Sequence, residues 1–333
     1  MNFFYRKIFK RKYLPIKNKY KNRKKIKTQP QKKSSKFIII SILLFVLILL
    51  IILFFISKNI YKKESIYPQD DLTLVSAYYK LKKSKHSKQE YLKWISNIAK
   101  LNKSMVFFTN KKFMPIFKEK RPKDLYNKTV FIELEFEEFY AYKNFYNEFN
   151  QTFQIDPEYK IHNVPLFIVW AEKCTFLKKA IKHNFFNSKC FYWVDAGYFR
   201  ESEKEFERYI NNWPSTKKCF EDNRVIIEQV RDMDDLEKQK IINLDNKAYK
   251  SFTKKINVAG NFFGGQIKNS LKFIDLYYDS IRLFIKKNLF IGKDQNIFAY
   301  IAFVYPKVVE LIPTKDGKLY SYLKYYLYNY KYQ

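Results

Sequence analysis

The segment KCFYWVDAGYFRES, residues 189–202, carries the first residue of chemical interest. Cys190 to Val194 are apolar or aromatic and read as a buried strand, which then ends on Asp195, Ala196 and Gly197. In open α/β sheets ligands sit beyond the carboxyl ends of strands. A carboxylate there caps a following helix or belongs to a site, and two small neighbours let a ligand approach the backbone. An acid so placed can hold a hard divalent cation, which neutralises charge on a leaving diphosphate. A second cluster is Gly260, Gly264 and Gly265, three of only six glycines in the chain, read as a turn before a long amphipathic helix. Amide groups at such a helix start favour anions. GKDQ supplies Asp294 and Gln295 at another turn, with Asp294 a candidate general base.

The elements that must position these groups alternate. Leu72–Tyr79 reads as a strand, and a helix follows with Tyr91, Ile95, Ile98 and Leu101 at helical spacing. Ser87 and Glu90 form a capping-box pattern at its start. Residues 104–110 and 129–134 read as further strands, and PLFIVWAEKCTFLKKAIKHN as a helix. Residues 224–230 read as another strand, and Gly292–Pro306 as a turn running into a helix. Strands alternating with helices predict an α/β domain around a mostly parallel sheet with right-handed crossovers.

Ahead of this domain lies FIIISILLFVLILLIILFFI, Phe37 to Ile56, whose one polar residue is Ser41. Twenty helical residues span about 30 Å, the thickness of a bilayer core. Residues 1–36 hold 15 Lys and Arg and no acid, against Lys58, Lys62 and Lys63 just beyond the span. Positive flanks stay in the cytosol, so the expectation is a single-pass type II anchor. The domains expected are a basic cytosolic tail (1–36), a transmembrane helix (37–56), a stem (57–70) and a lumenal domain (71–333). The short span suits the thinner membranes of the Golgi or ER. Sequons at Asn102, Asn127 and Asn150 agree with a lumenal domain. Cys174, Cys190 and Cys219 allow one disulfide and one thiol.

The net charge of +32 does not make a nucleic-acid binder. Setting aside the tail and the three flanking lysines leaves 46 basic against 32 acidic residues, with no dense Arg stripe. The 20% aromatic content goes with abundant Lys, Asn and Ile, as in an AT-rich genome, and says little about chemistry.

TLVSAYYKL, SKHSKQEYLKWISNIAKLNKSMVFFT, VWAEKCTFLKKAIKHNFFNSKCFYWVDAGYFR, VAGNFFGG and GKDQ, in this order, resemble the WlaTC/HtrL (YibB-like) family over Leu72 to Ile312. That family is linked to surface polysaccharide synthesis and looks like nucleotide-diphospho-sugar transferases of the GT-A kind. The resemblance implies a GT-A-like, Rossmann-like sheet and a nucleotide-sugar donor, with a glycan, lipid or protein as acceptor. It places the opening strand, with Thr73, Ala77, Tyr78 and Tyr79, at the nucleotide. It favours His86 over His162 and His183 as functional, and puts Asp195 and Gly197 at the DxD-like position. Gly260, Gly264, Gly265, Asp294 and Gln295 fall near sugar and acceptor. A DxD motif has two acids where this chain has Asp195 and Gly197, so Mn²⁺ or Mg²⁺ would need a second ligand from Glu172 or Asp294. The alternative is a catalytically silent lumenal glycan- or nucleotide-binding protein on the same fold. A basic tail that binds anionic lipid or nucleic acid is a weaker third reading.

Overall fold

The computed structural model describes residues 34–61, 67–84, 86–315 and 322–330. It divides into two compact units, Met1–Glu64 and Ser65–Gln333. The basic tail lies outside the described residues through residue 33, as does the stem from 62 to 66.

In the first unit Ser34–Tyr61 is one helix of 28 residues. Its side chains are described from residue 39 to 52, and there each is exposed, Ile39 through Ile52 included. Among the described residues no helix is long and apolar enough to cross a membrane. The described side chains cover only part of the stretch that the sequence marks as a span, which therefore rests on the sequence.

The second unit is built on a seven-stranded sheet: β1 (Leu72–Tyr78), β2 (Ser104–Thr109), β3 (Thr129–Glu133), β4 (Cys190–Val194), β5 (Val225–Gln229), β6 (Val258–Gln266) and β7 (Val309–Pro313). The spatial order is β3-β2-β1-β4-β6-β5-β7. All neighbours run parallel except β6, which is antiparallel to both β4 and β5. Helices cover both faces, so central strands read as unbroken apolar runs rather than alternating ones. Alternate residues nonetheless enter different cores. Val75, Phe108, Trp193, Ile227 and Phe263 join one, with Phe176 and Phe298 from helices. Leu74, Phe107, Tyr192, Ile226 and Phe262 join the other, beside Trp213 and Leu323.

Sequence and structure agree on β1 to β5, on the capping box of the Lys88–Ala99 helix, and on the Val164–His183 helix, which Asn163 caps. Residues 258–266 are the correction. Their glycines read as a turn, and they form the buried reversed strand instead. Gly264 lies opposite both Tyr192 and Ile226, with φ at +147°. A Cβ there would sit 2.1 Å from the Phe191 carbonyl oxygen, and one on Gly265 2.7 Å from that of Arg224. These two glycines let a strand pass between two close backbones. The edge strand β7 was not anticipated.

Cys190 on β4 is disulfide-bonded to Cys219 of the short Lys217–Glu221 helix, and Cys174 stays a buried thiol. The Tyr322–Asn329 helix returns to the sheet, where the Glu228 carboxylate accepts the Tyr322 N–H and the Lys324 carbonyl accepts Trp213 Nε1–H at 3.1 Å.

Gly264→Ala should destabilise the fold by about 3 kcal/mol or more, combining backbone strain with an overpacked contact. Urea denaturation measures it; a loss under about 1 kcal/mol would show that β6 is not held this tightly.

Candidate functional site

The sequence of the sheet order reverses direction between β1 and β4, and a ligand crevice is expected at their carboxyl ends. A cavity of about 880 Å³ opens there. Its walls include Ala77, Tyr78, Tyr79, His86, Asp195, Gly197, Gly260, Asp294 and Gln295, so the structure gathers most of the residues the sequence singled out. Three lie elsewhere. Thr73 is at the opposite end of β1, its hydroxyl 2.8 Å from that of Ser188. Gly264 and Gly265 are in mid-sheet, doing the packing described above.

The centre of the site is a residue the sequence reading passed over. Lys173, in the middle of the apolar Val164–His183 helix, points its ammonium under the cavity floor with its side chain 5% exposed. Nζ donates to the Gly260 carbonyl at 2.9 Å. It lies 3.1 Å from Asp195 Oδ1, 3.3 Å from Asp195 Oδ2 and 2.9 Å from Asp294 Oδ2. The approach to Asp294 Oδ2 is an ion-pair contact rather than an aligned hydrogen bond. Burial works to lower the Lys173 pKa, but the two carboxylates together outweigh it and hold the group above the ordinary lysine value, fully charged.

The two acids differ in access. Asp195 follows β4, its N–H donating to the Asn261 carbonyl at 2.8 Å, and Oδ1 accepts Trp193 Nε1–H at 2.6 Å. Its side chain is 32% exposed and faces the cavity. Asp294 opens the Asp294–Val304 helix, accepts the Gln295 N–H at 2.8 Å and is 3% exposed. Burial raises its pKa; Lys173 opposes this, without cancelling it. A Cβ on Gly260 would fall 2.8 Å from Asp294 Oδ2, which explains why this position is a glycine. Asp294 is thus enclosed beside Lys173, whereas Asp195 keeps part of its carboxylate open to the cavity.

Glu172, the other candidate for a second metal ligand, faces away from the cavity. Its carboxylate accepts the Tyr140 N–H at 3.1 Å and the Ala141 N–H at 2.8 Å, capping the Tyr140–Thr152 helix from a neighbouring element. Among the described residues no three His, Cys, Asp or Glu converge on a cation position. The gap between Asp195 and Asp294 is filled by an ammonium group. The donor set therefore does not fit an Mn²⁺ or Mg²⁺ ion between the two carboxylates.

Another part of the wall is cationic, with Arg200 and His86 lining it. The Arg200 guanidinium lies 4.4 Å from the centre of the Trp94 ring, and its Nε donates to the Gly197 carbonyl at 3.0 Å. Arg200 Nη1 is 3.3 Å from His86 Nε2, and His86 Nδ1 is 3.4 Å from Glu90 Oε1. Because arginine only donates, Nε2 is the accepting nitrogen and Nδ1 carries the proton. The signal for Lys173 was present in the sequence as an adjacent Glu-Lys pair inside an apolar helix, where charges stay only when partnered. Arg200 gave no comparable signal, being one basic residue among many.

The chain thus folds as a mixed α/β domain with one reversed strand and a polar crevice at the sheet's switch point. Residues 70–326 match the family described as "Bacterial protein of unknown function (HtrL_YibB)", and the chain belongs to that family. No curated protein matches the chain.

Lys173→Met should cost about 3–5 kcal/mol, because it strands the buried Asp294. Adding Asp294→Asn should recover a large part of that loss. Additive effects in chemical denaturation would show that the two do not interact. Glu172 supplies a pH signature. Burial lifts its carboxyl from 4.5 to about 7 against the pull of two N–H groups. A folded-state pKa above the unfolded one favours folding at low pH and loses that contribution as pH rises through about 7. Relative to Glu172→Gln, the wild type should gain stability as pH falls across that window. Parallel stability curves for the two proteins would refute the assignment.

Proposed function

We propose that the chain is a membrane-anchored glycosyltransferase-like enzyme that moves a sugar from a nucleotide-sugar donor to a glycan, lipid or protein acceptor. The observation that carries this reading is the crevice at the β1–β4 switch point. There Asp195, the most exposed of the carboxylates in the lining, shares a cavity large enough for a nucleotide sugar with several basic side chains. In the reaction the acceptor oxygen forms a bond to the anomeric carbon of the sugar, and the bond from that carbon to the diphosphate oxygen breaks. The departing nucleoside diphosphate takes the bonding electron pair. Asp195 takes the acceptor proton, while Trp193 and Lys173 fix the direction of its carboxylate.

The anchor is Phe37–Ile56, oriented by the basic residues that precede it, as a single-pass type II protein. This puts the domain on the side away from the cytosol, in the Golgi or ER lumen where the cell has one. The Cys190–Cys219 disulfide supports an oxidising compartment.

The full chain in detergent, offered a panel of nucleotide sugars, should release or transfer sugar from at least one. Asp195→Asn keeps an acceptor for Trp193 and Lys173 while Asp294 still pairs with the ammonium, and should lower the turnover of the folded protein about 10²–10⁴-fold. Unchanged turnover would end the assignment. Donor binding without any turnover in the wild type would favour the silent binding protein instead.

A further inference from the structure

The electrostatic balance of the cavity points to how an anionic ligand is held. Of the basic residues in its walls, Lys173 is matched by Asp195 and Asp294, and Lys324 by Glu201. Lys80, Lys83, Lys88 and Arg200 also line it, and among the described residues none of these four forms an ion pair with a carboxylate. Lys83 donates to the Lys160 and His162 carbonyls, at 2.5 and 3.2 Å, which position it without neutralising it. Arg200 is the best oriented. Trp94 supports the face of its guanidinium, the Gly197 carbonyl takes Nε–H and His86 takes one Nη1 proton, and among the described residues no acceptor takes Nη2. His86 is itself set by Glu90, the same residue that completes the capping box of the Lys88–Ala99 helix. A planar guanidinium held this way is suited to two phosphate oxygens at once.

Resting on the transferase reading, we propose that the donor's diphosphate is bound directly by Arg200, with Lys80 and Lys88 beside it, and without a divalent cation. Lys173 takes the place between Asp195 and Asp294 that a metal ion would need. The charge that develops on the leaving diphosphate is then neutralised by side chains of this chain. These cations come from the loop after β1, the start of the Lys88–Ala99 helix and the loop after β4, so they surround the switch point from three elements.

Isothermal titration of the full chain in detergent, with a panel of nucleoside diphosphates in EDTA or in Mn²⁺, tests this. The expected result is the same affinity in both buffers for the diphosphate that binds. Arg200→Gln should weaken it about ten- to a hundredfold, as for loss of a charge-assisted bidentate contact. Lys80→Gln, on an exposed loop, should weaken it less, and serves if Arg200→Gln lowers the thermal midpoint. Lys247→Gln removes the same charge far from the cavity and should stay within about twofold of the wild type. Binding that appears only with Mn²⁺, or that is indifferent to both pocket variants, overturns the inference and leaves the transferase reading standing. Absence of binding by every diphosphate in both buffers overturns the two together.

Discussion

The site depends on one buried ammonium. Lys173 is almost fully removed from water, and its charge is tolerable there because two carboxylates and a carbonyl oxygen surround it. Burying a lone charge is expensive, and breaking such a group is costlier still. Each partner arrives from a different element: Asp195 from the end of β4, Gly260 from β6 and Asp294 from the first turn of a helix. The ammonium therefore ties three parts of the fold to the Val164–His183 helix. It also decides which acid is chemically available, since Asp294 is enclosed while Asp195 keeps one face to the cavity.

The reversed strand β6 is what makes this geometry reachable. It lies between β4 and β5 and brings Gly260 under Asp294, while Gly264 and Gly265 allow backbone contact with both neighbours. The glycine cluster thus has two separate duties. Gly260 leaves room for a carboxylate at the site, and the other two leave room for main chain in the middle of the sheet.

Much of this was legible in the sequence. The unbroken apolar runs 72–79, 104–110 and 190–194 have the character of strands covered on both faces, and the Ser87–Glu90 pair gave a helix start from local chemistry alone. Asp195 was recognisable because an acid after a core strand needs a reason. Residues 258–266 were misread because glycine is a turn signal locally, whereas here it answers to backbones brought near by tertiary structure. Lys173 is marked only by its charge pair with Glu172 inside an apolar helix: periodicity assigns a face to apolar residues and says nothing of a cation buried among them. Glu172 looked eligible for a metal by position along the chain, but one residue around a helix turns a side chain by about 100°, and it caps another helix instead.

The wall of the crevice joins residues far apart in the chain, from Ala77 on β1 to Lys324 on the last described helix. Contacts of such long range form late, after the intervening loop entropy has been overcome. During synthesis the Lys88–Ala99 helix can cover one face of β1 and β2 early, but the other face waits for the Val164–His183 helix, whose Phe176 and Leu177 join Val75 and Phe108 in one core. A nascent chain at that stage exposes apolar sheet surface, the kind of surface through which partly folded chains associate.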